Sequence, residues 1–154
     1  MEEVSKHIVP NDVMLGEVRK MIAEGHKVTI KVKGFSMLPF IVGDRDKVLL
    51  SRPKDLHTGE IVLAEIEKGR YVLHRVKDID GVHIVLMGDG NLRGTEQCGV
   101  DDVAGKVVKI WRKGKEIDPY SNKEMFMVRL WITLKPVRRW LLAIYRRLPI
   151  GLRP

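Results

Sequence analysis

Two residues of this 154-residue chain, Ser36 and His74, have the types and placement that nucleophilic chemistry needs. Ser36 sits in Gly34-Phe35-Ser36-Met37-Leu38-Pro39, between a strand-like run and the turn Gly43-Asp44. On local grounds such a serine is a turn residue that bonds its own backbone. Its hydroxyl becomes a nucleophile only with a base in hydrogen-bond reach. Residues 70–77 offer one, 38 residues on, because strand alternation sets Val72, His74 and Val76 on one face. A histidine among valines is, by itself, a core residue bonded to backbone. A third group follows in Met87-Gly88-Asp89-Gly90-Asn91, where Asp89 would orient the imidazole if the two strands pair as a hairpin. Asp89 is an equally good β-turn aspartate, and Asp101 and Asp102 are alternatives for the orienting role.

The elements that must position these groups can be read from periodicity. Residues 11–24 predict a helix, with Asn11 as N-cap, Met14, Val18, Met21 and Ile22 on one buried face, and Gly25 as terminator. Residues 27–33 switch to period two, with Val28, Ile30 and Val32 opposite Thr29, Lys31 and Lys33, which predicts a half-exposed strand. Further short strands are expected at 47–51, 60–67, 70–77, 82–87 and 103–112, broken at 52–55, 68–69, 78–81 and the glycine-rich 88–99. Lys113-Gly114-Lys115 reads as one more hairpin turn. This spacing argues for a mainly β domain over 27–118, a coiled antiparallel sheet or partial barrel. A helical segment at 1–26 precedes it and a basic amphipathic helical tail at 119–154 follows.

In that tail Val137, Trp140, Leu141, Ile144, Tyr145 and Leu148 form a stripe, with Arg138, Arg139, Arg146 and Arg147 off it. Pro136 should split it from the segment before. The stripe either packs on the sheet with its arginines in water or lies on an anionic membrane surface.

Charge is unevenly placed. From Lys106 onward there are 13 Lys/Arg against three acidic residues, whereas the first 105 residues carry 15 basic and 17 acidic. The basic character belongs to the tail. Cys98 is the only cysteine, which excludes an internal disulfide and a thiolate metal cluster and fits a reducing compartment. The five histidines show no ligand spacing, so neither a metal nor another cofactor is expected. An acidic start without an apolar core predicts no signal peptide. No run reaches the ~18 apolar residues of a transmembrane helix. A cytoplasmic location, or a peripheral one at the cytoplasmic membrane face, is expected. Nucleic acid is a weak candidate partner, since the tail tryptophans suit a helical stripe better than stacking platforms.

Gly34-Phe35-Ser36-Met37-Leu38-Pro39, Gly43-Asp44, Gly59-Glu60-Ile61-Val62, His74-Arg75-Val76 and Gly88-Asp89-Gly90-Asn91 together resemble the type I signal peptidase and LexA-like (SOS-repressor) serine peptidase superfamily. There a Gly-x-Ser-Met motif supplies the nucleophile, and the base follows on a later strand just before an arginine. That base is lysine in bacterial signal peptidases and repressors, and histidine in endoplasmic reticulum and archaeal signal peptidases. His74-Arg75 is similar to the histidine version. The resemblance spans about residues 27–110.

It implies a serine endopeptidase in which Ser36 attacks the scissile carbonyl, His74 takes its proton, Asp89 or Asp101/Asp102 orients the ring, and the Ser36 N–H helps hold the oxyanion. An extended peptide or protein substrate would pair with Lys31, Val32, Lys33, Gly34 and Phe35. The chain departs from the signal peptidases at Gly34, where they usually carry a serine. Phe35 in place of glycine is closer to the repressors. Neither the signal peptidase membrane anchor nor the repressor DNA-binding domain is expected. Self-cleavage is not expected either, because the only Ala-Gly pair, Ala104-Gly105, lies downstream in a strand. The alternative is a catalytically inactive, peptide-binding member of the same fold.

Overall fold

The computed structural model describes residues 12–91 and 93–154. The first helix, α1 (Asp12–Ala23), turns Leu15, Val18 and Ile22 into the core, and Gly25 at φ +97° ends it. Asn11 lies outside the described residues. Eight strands follow: β1 (Val28–Lys31), β2 (Lys47–Ser51), β3 (Ile61–Glu67), β4 (Arg70–Asp80), β5 (His83–Met87), β6 (Glu96–Gly99), β7 (Val103–Arg112) and β8 (Lys115–Ile117). All pairings are antiparallel, in the order β1-β2-β7-β3-β4-β5-β6, with β8 on β7. Register shifts at Leu49/Leu50, Leu63/Ala64, Glu65/Glu67 and Val76/Asp78 curl the sheet without closing it. The mainly β architecture expected from the turn spacing is therefore present.

Three differences have physical causes. The strand at 27–33 shortens to β1, and Thr29 is buried rather than exposed. The expected break at 78–81 is carried through as β4, and the turn falls at Gly81 with φ +58°. β6 emerges from the glycine-rich segment, since Glu96-Gln97-Cys98-Gly99 pairs with β5 despite low strand propensity.

Two apolar clusters occupy the two faces of the sheet. One joins α1 to β1, β2 and Met37, and the other packs Val62, Val76, Leu86 and Val103. A third cluster is built on the Ser36 loop. Leu38, Phe40 and Val42 pack against Val128 and Trp131 of α2 (Asn122–Thr133) and Leu142 of α3 (Arg138–Arg147). Arg112 ties the two parts together, reaching both carboxylate oxygens of Glu124 at 2.9 and 3.0 Å and the Phe40 carbonyl at 3.0 Å. Tyr120 adds an anchor before α2. Its hydroxyl donates to the Val107 carbonyl and accepts from the Ile61 N–H, and burial pushes its pKa up to about 12.

α3 presents the face opposite to ordinary packing. Arg138, Leu142 and the half-buried Tyr145 point inward, whereas Trp140 and Ile144 are each 61% exposed, and Val137, Leu141 and Leu148 are exposed with them. Of the stripe expected from the sequence, Tyr145 packs inward beside Leu142, and Val137, Trp140, Leu141, Ile144 and Leu148 face solvent. No helix among the described residues is long and apolar enough to cross a membrane.

Candidate active site

The Ser36 loop is clamped by backbone. Leu38 N–H donates to the Phe35 carbonyl, leaving Ser36 and Met37 at the centre of a turn whose closing bond uses neither of their N–H groups. At the entrance, a Cβ on Gly43 would collide with the Gly34 carbonyl. On the other side the loop after β5 presses directly on the serine. Gly90 N–H donates to the Ser36 carbonyl at 2.8 Å, and a Cβ on Gly88 would clash with that same carbonyl. Only glycine permits this approach.

The ladder then relates Ser36 to His74. The last β4–β5 pair is Arg75↔Met87, and His74 and Gly88 are the residues next to it on the two chain segments. The glycine that meets the Ser36 carbonyl thus begins the loop that leaves this end of the β4–β5 ladder. His74 is buried, and its Nδ1 has no hydrogen-bond partner among the described residues. Burial lowers its pKa below the ordinary 6.5 and Arg70 adds to that, while the charges of Glu96 and Asp89 pull the other way.

Asp89 does not hydrogen-bond the imidazole, which corrects the role expected for it. Its two carboxylate oxygens accept from Arg75 Nε and Nη2 at 2.8 and 2.7 Å, in a buried bidentate pair. The reason is alternation, since Arg75 is on the face opposite His74 and Asp89 lies beneath that face. Arg75 also donates from Nη1 to the Gly59 carbonyl, and Trp131 Nε1 donates to the Asp89 carbonyl at 2.7 Å. α2 thus fastens the loop that fastens Ser36. Asp101 and Asp102 belong to the turn between β6 and β7, where the Asp102 carboxylate accepts from Gly99 N–H and the Asp101 carbonyl accepts from Arg19.

Of the residues expected to pair with substrate, Val32 has both backbone groups engaged, its N–H with the Asp46 carbonyl and its carbonyl with the Asp44 N–H. Alternation turns the backbone of Lys31 away from β2, at the edge of the sheet, and Lys33 lies beyond the end of β1. Phe35 is exposed beside Ser36, with the Arg153 guanidinium 5.9 Å from its ring. Sequence reasoning missed Glu96, hidden in a glycine-rich stretch, and the Arg75–Asp89 pair. The latter was legible in principle, because an arginine opposite the histidine on a buried strand requires a carboxylate.

A curled antiparallel sheet with a Gly-x-Ser-Met turn held against a His-Arg strand is the arrangement of the LexA and signal peptidase-like superfamily. Residues 2–108 match the Peptidase S24-like family, and the chain belongs to that family. A comparison with curated proteins found no match. α2 and α3 lie beyond the matched residues.

Proposed function

We propose that the protein is a serine endopeptidase with Ser36 as nucleophile and His74 as general base. The observation that carries this reading is the buried imidazole with an unpartnered Nδ1, one residue from the strand pair at which the loop that touches Ser36 begins. A buried polar nitrogen without a partner is costly and calls for a reason. A proton-accepting role supplies one. Ser36 Oγ attacks the scissile carbonyl carbon as His74 takes its proton, and His74 returns that proton to the leaving amine. Water then releases the acyl group from Ser36. The N–H of Ser36, unused by its turn, donates to the developing oxyanion. A substrate strand pairs with the edge of the sheet at Lys31 and runs on past Lys33, and Phe35 contacts its side chains.

Incubation with a pool of extended peptides, with new N-termini read by mass spectrometry, tests this reading. New termini from the native protein and none from Ser36→Ala are expected. Peptide binding without cleavage by the native protein would support an inactive peptide-binding member instead. The pH dependence follows from His74. A base whose pKa is lowered stays neutral further into acid, so the acid limb of kcat/KM is expected below pH 6.5. Glu96→Gln removes a charge that favours the protonated ring and should move that limb lower still. A limb at or above 6.5, or an upward shift in Glu96→Gln, would contradict the assignment.

The protein is also proposed to work at an anionic membrane face. Residues 125–154 hold seven Lys/Arg and no Asp or Glu, and the exposed Trp140, Leu141 and Ile144 share that surface with Arg139, Arg146 and Arg147. An apolar stripe facing water between cations suits the headgroup boundary. Co-sedimentation with phosphatidylglycerol-containing vesicles should exceed that with phosphatidylcholine alone and weaken with salt. Trp140→Ala with Ile144→Ala should cost roughly 10-fold or more in vesicle affinity, from the apolar area withdrawn from the bilayer. Equal binding to both vesicle types would end this part of the proposal.

A further inference from the structure

A cavity of about 440 Å³ lies on the Arg75 face, between the sheet and α2, in the size range of small-molecule sites. Its walls are apolar, formed by Met87, Met125, Val128, Trp131 and Ile132. Its polar groups are mostly cations. Arg75 and Asp89 neutralise each other, which leaves Lys77, Arg129, Lys135 and Arg138 without a carboxylate in the lining. Arg138 stands out among them. It is only 5% exposed, its Nε has no hydrogen-bond partner, and its contact is the Trp131 ring at 5.8 Å. A buried guanidinium held only by an aromatic face retains donors in a fixed fork, suited to phosphate or carboxylate.

We propose that this cavity binds an anionic amphiphile, its phosphate or carboxylate head held by Arg138 and the neighbouring Lys77 and Lys135, its chain lying against Met87, Val128 and Ile132. Charge and apolarity occur together in the lining, so the site suits neither a bare anion nor a neutral hydrocarbon. The cavity is distinct from the Ser36–His74 face, but it shares Gly88 and Asp89 with the loop that clamps Ser36. Much of its wall comes from α2 and Arg138, outside the part of the chain that matches the peptidase family.

The test is titration of the full chain with dodecyl phosphate below its micelle concentration, followed by calorimetry and tryptophan fluorescence. One saturable site is expected, weakened roughly 10- to 100-fold by Arg138→Met through loss of charge-assisted bonds. Lys77→Met should weaken it too. Lys77 is exposed, so that variant keeps the test valid if the Arg138 variant fails to fold. Val82→Ala, an exposed residue of the β4–β5 turn outside the cavity, should leave the affinity unchanged. Inorganic phosphate or dodecanol binding as tightly as dodecyl phosphate would overturn the proposal, as would an affinity indifferent to Arg138 and Lys77. Displacement by phosphatidylglycerol vesicles would identify the natural head as that of a bilayer lipid, and retention as that of a soluble amphiphile, each consistent with the site.

Discussion

Ser36→Ala and His74→Gln are each expected to lower kcat/KM by at least about 10⁴-fold with little loss of stability, because nucleophile and base act as a unit. Combining them should add little beyond either alone, since once one is missing the other has no step to perform. Ser36 sits at the centre of a turn whose closing bond runs from Leu38 to Phe35, so removing its hydroxyl leaves the loop's backbone bonds in place. Glutamine at position 74 keeps much of the side-chain volume in the pocket that buries the imidazole. Turnover of a cleaved peptide, measured beside urea unfolding of each variant, reads both effects. Activity within about 10-fold of the native protein in either variant would exclude the dyad.

The largest effect on stability should come from Asp89→Ala, about 3–5 kcal/mol, since it leaves the Arg75 charge buried without its carboxylate. Arg75 would keep only its bond to the Gly59 carbonyl and its place 5.8 Å from the Phe40 ring. Replacing both members, as in Arg75→Met with Asp89→Leu, should recover part of the loss, since two apolar groups leave no uncompensated charge. Urea unfolding of the two single variants and the double variant gives the coupling directly. A loss below about 1 kcal/mol for Asp89→Ala would mean that the pair does not hold the loop. Because Gly88 and Gly90 flank Asp89 and bear on Ser36, activity should fall with stability in that variant.

The sequence carried much of this organisation, for identifiable reasons. Strands β2 and β7 were legible residue for residue, because each is a run of apolar and β-branched side chains bounded by turn residues. Alternation along β4 separated His74 from Arg75, and the structure keeps them on opposite faces. What could not be read was which face Asp89 would serve, since that depends on where the loop leaves β5. β6 was hidden because Gln97 and Gly99 carry no strand preference, and pairing with β5 decides its form. The orientation of α3 was likewise invisible. Its stripe has the same period whether it faces protein or water, and only the inward placement of Leu142 and Arg138 settles the matter.

The most direct test of the Ser36–His74 account is reaction with an organophosphonate reagent, read as intact mass and by peptide mapping. The account predicts a single adduct on Ser36 in the native protein, formed far more slowly in His74→Gln and absent in Ser36→Ala. No adduct on Ser36, or one that forms equally fast without His74, would contradict it.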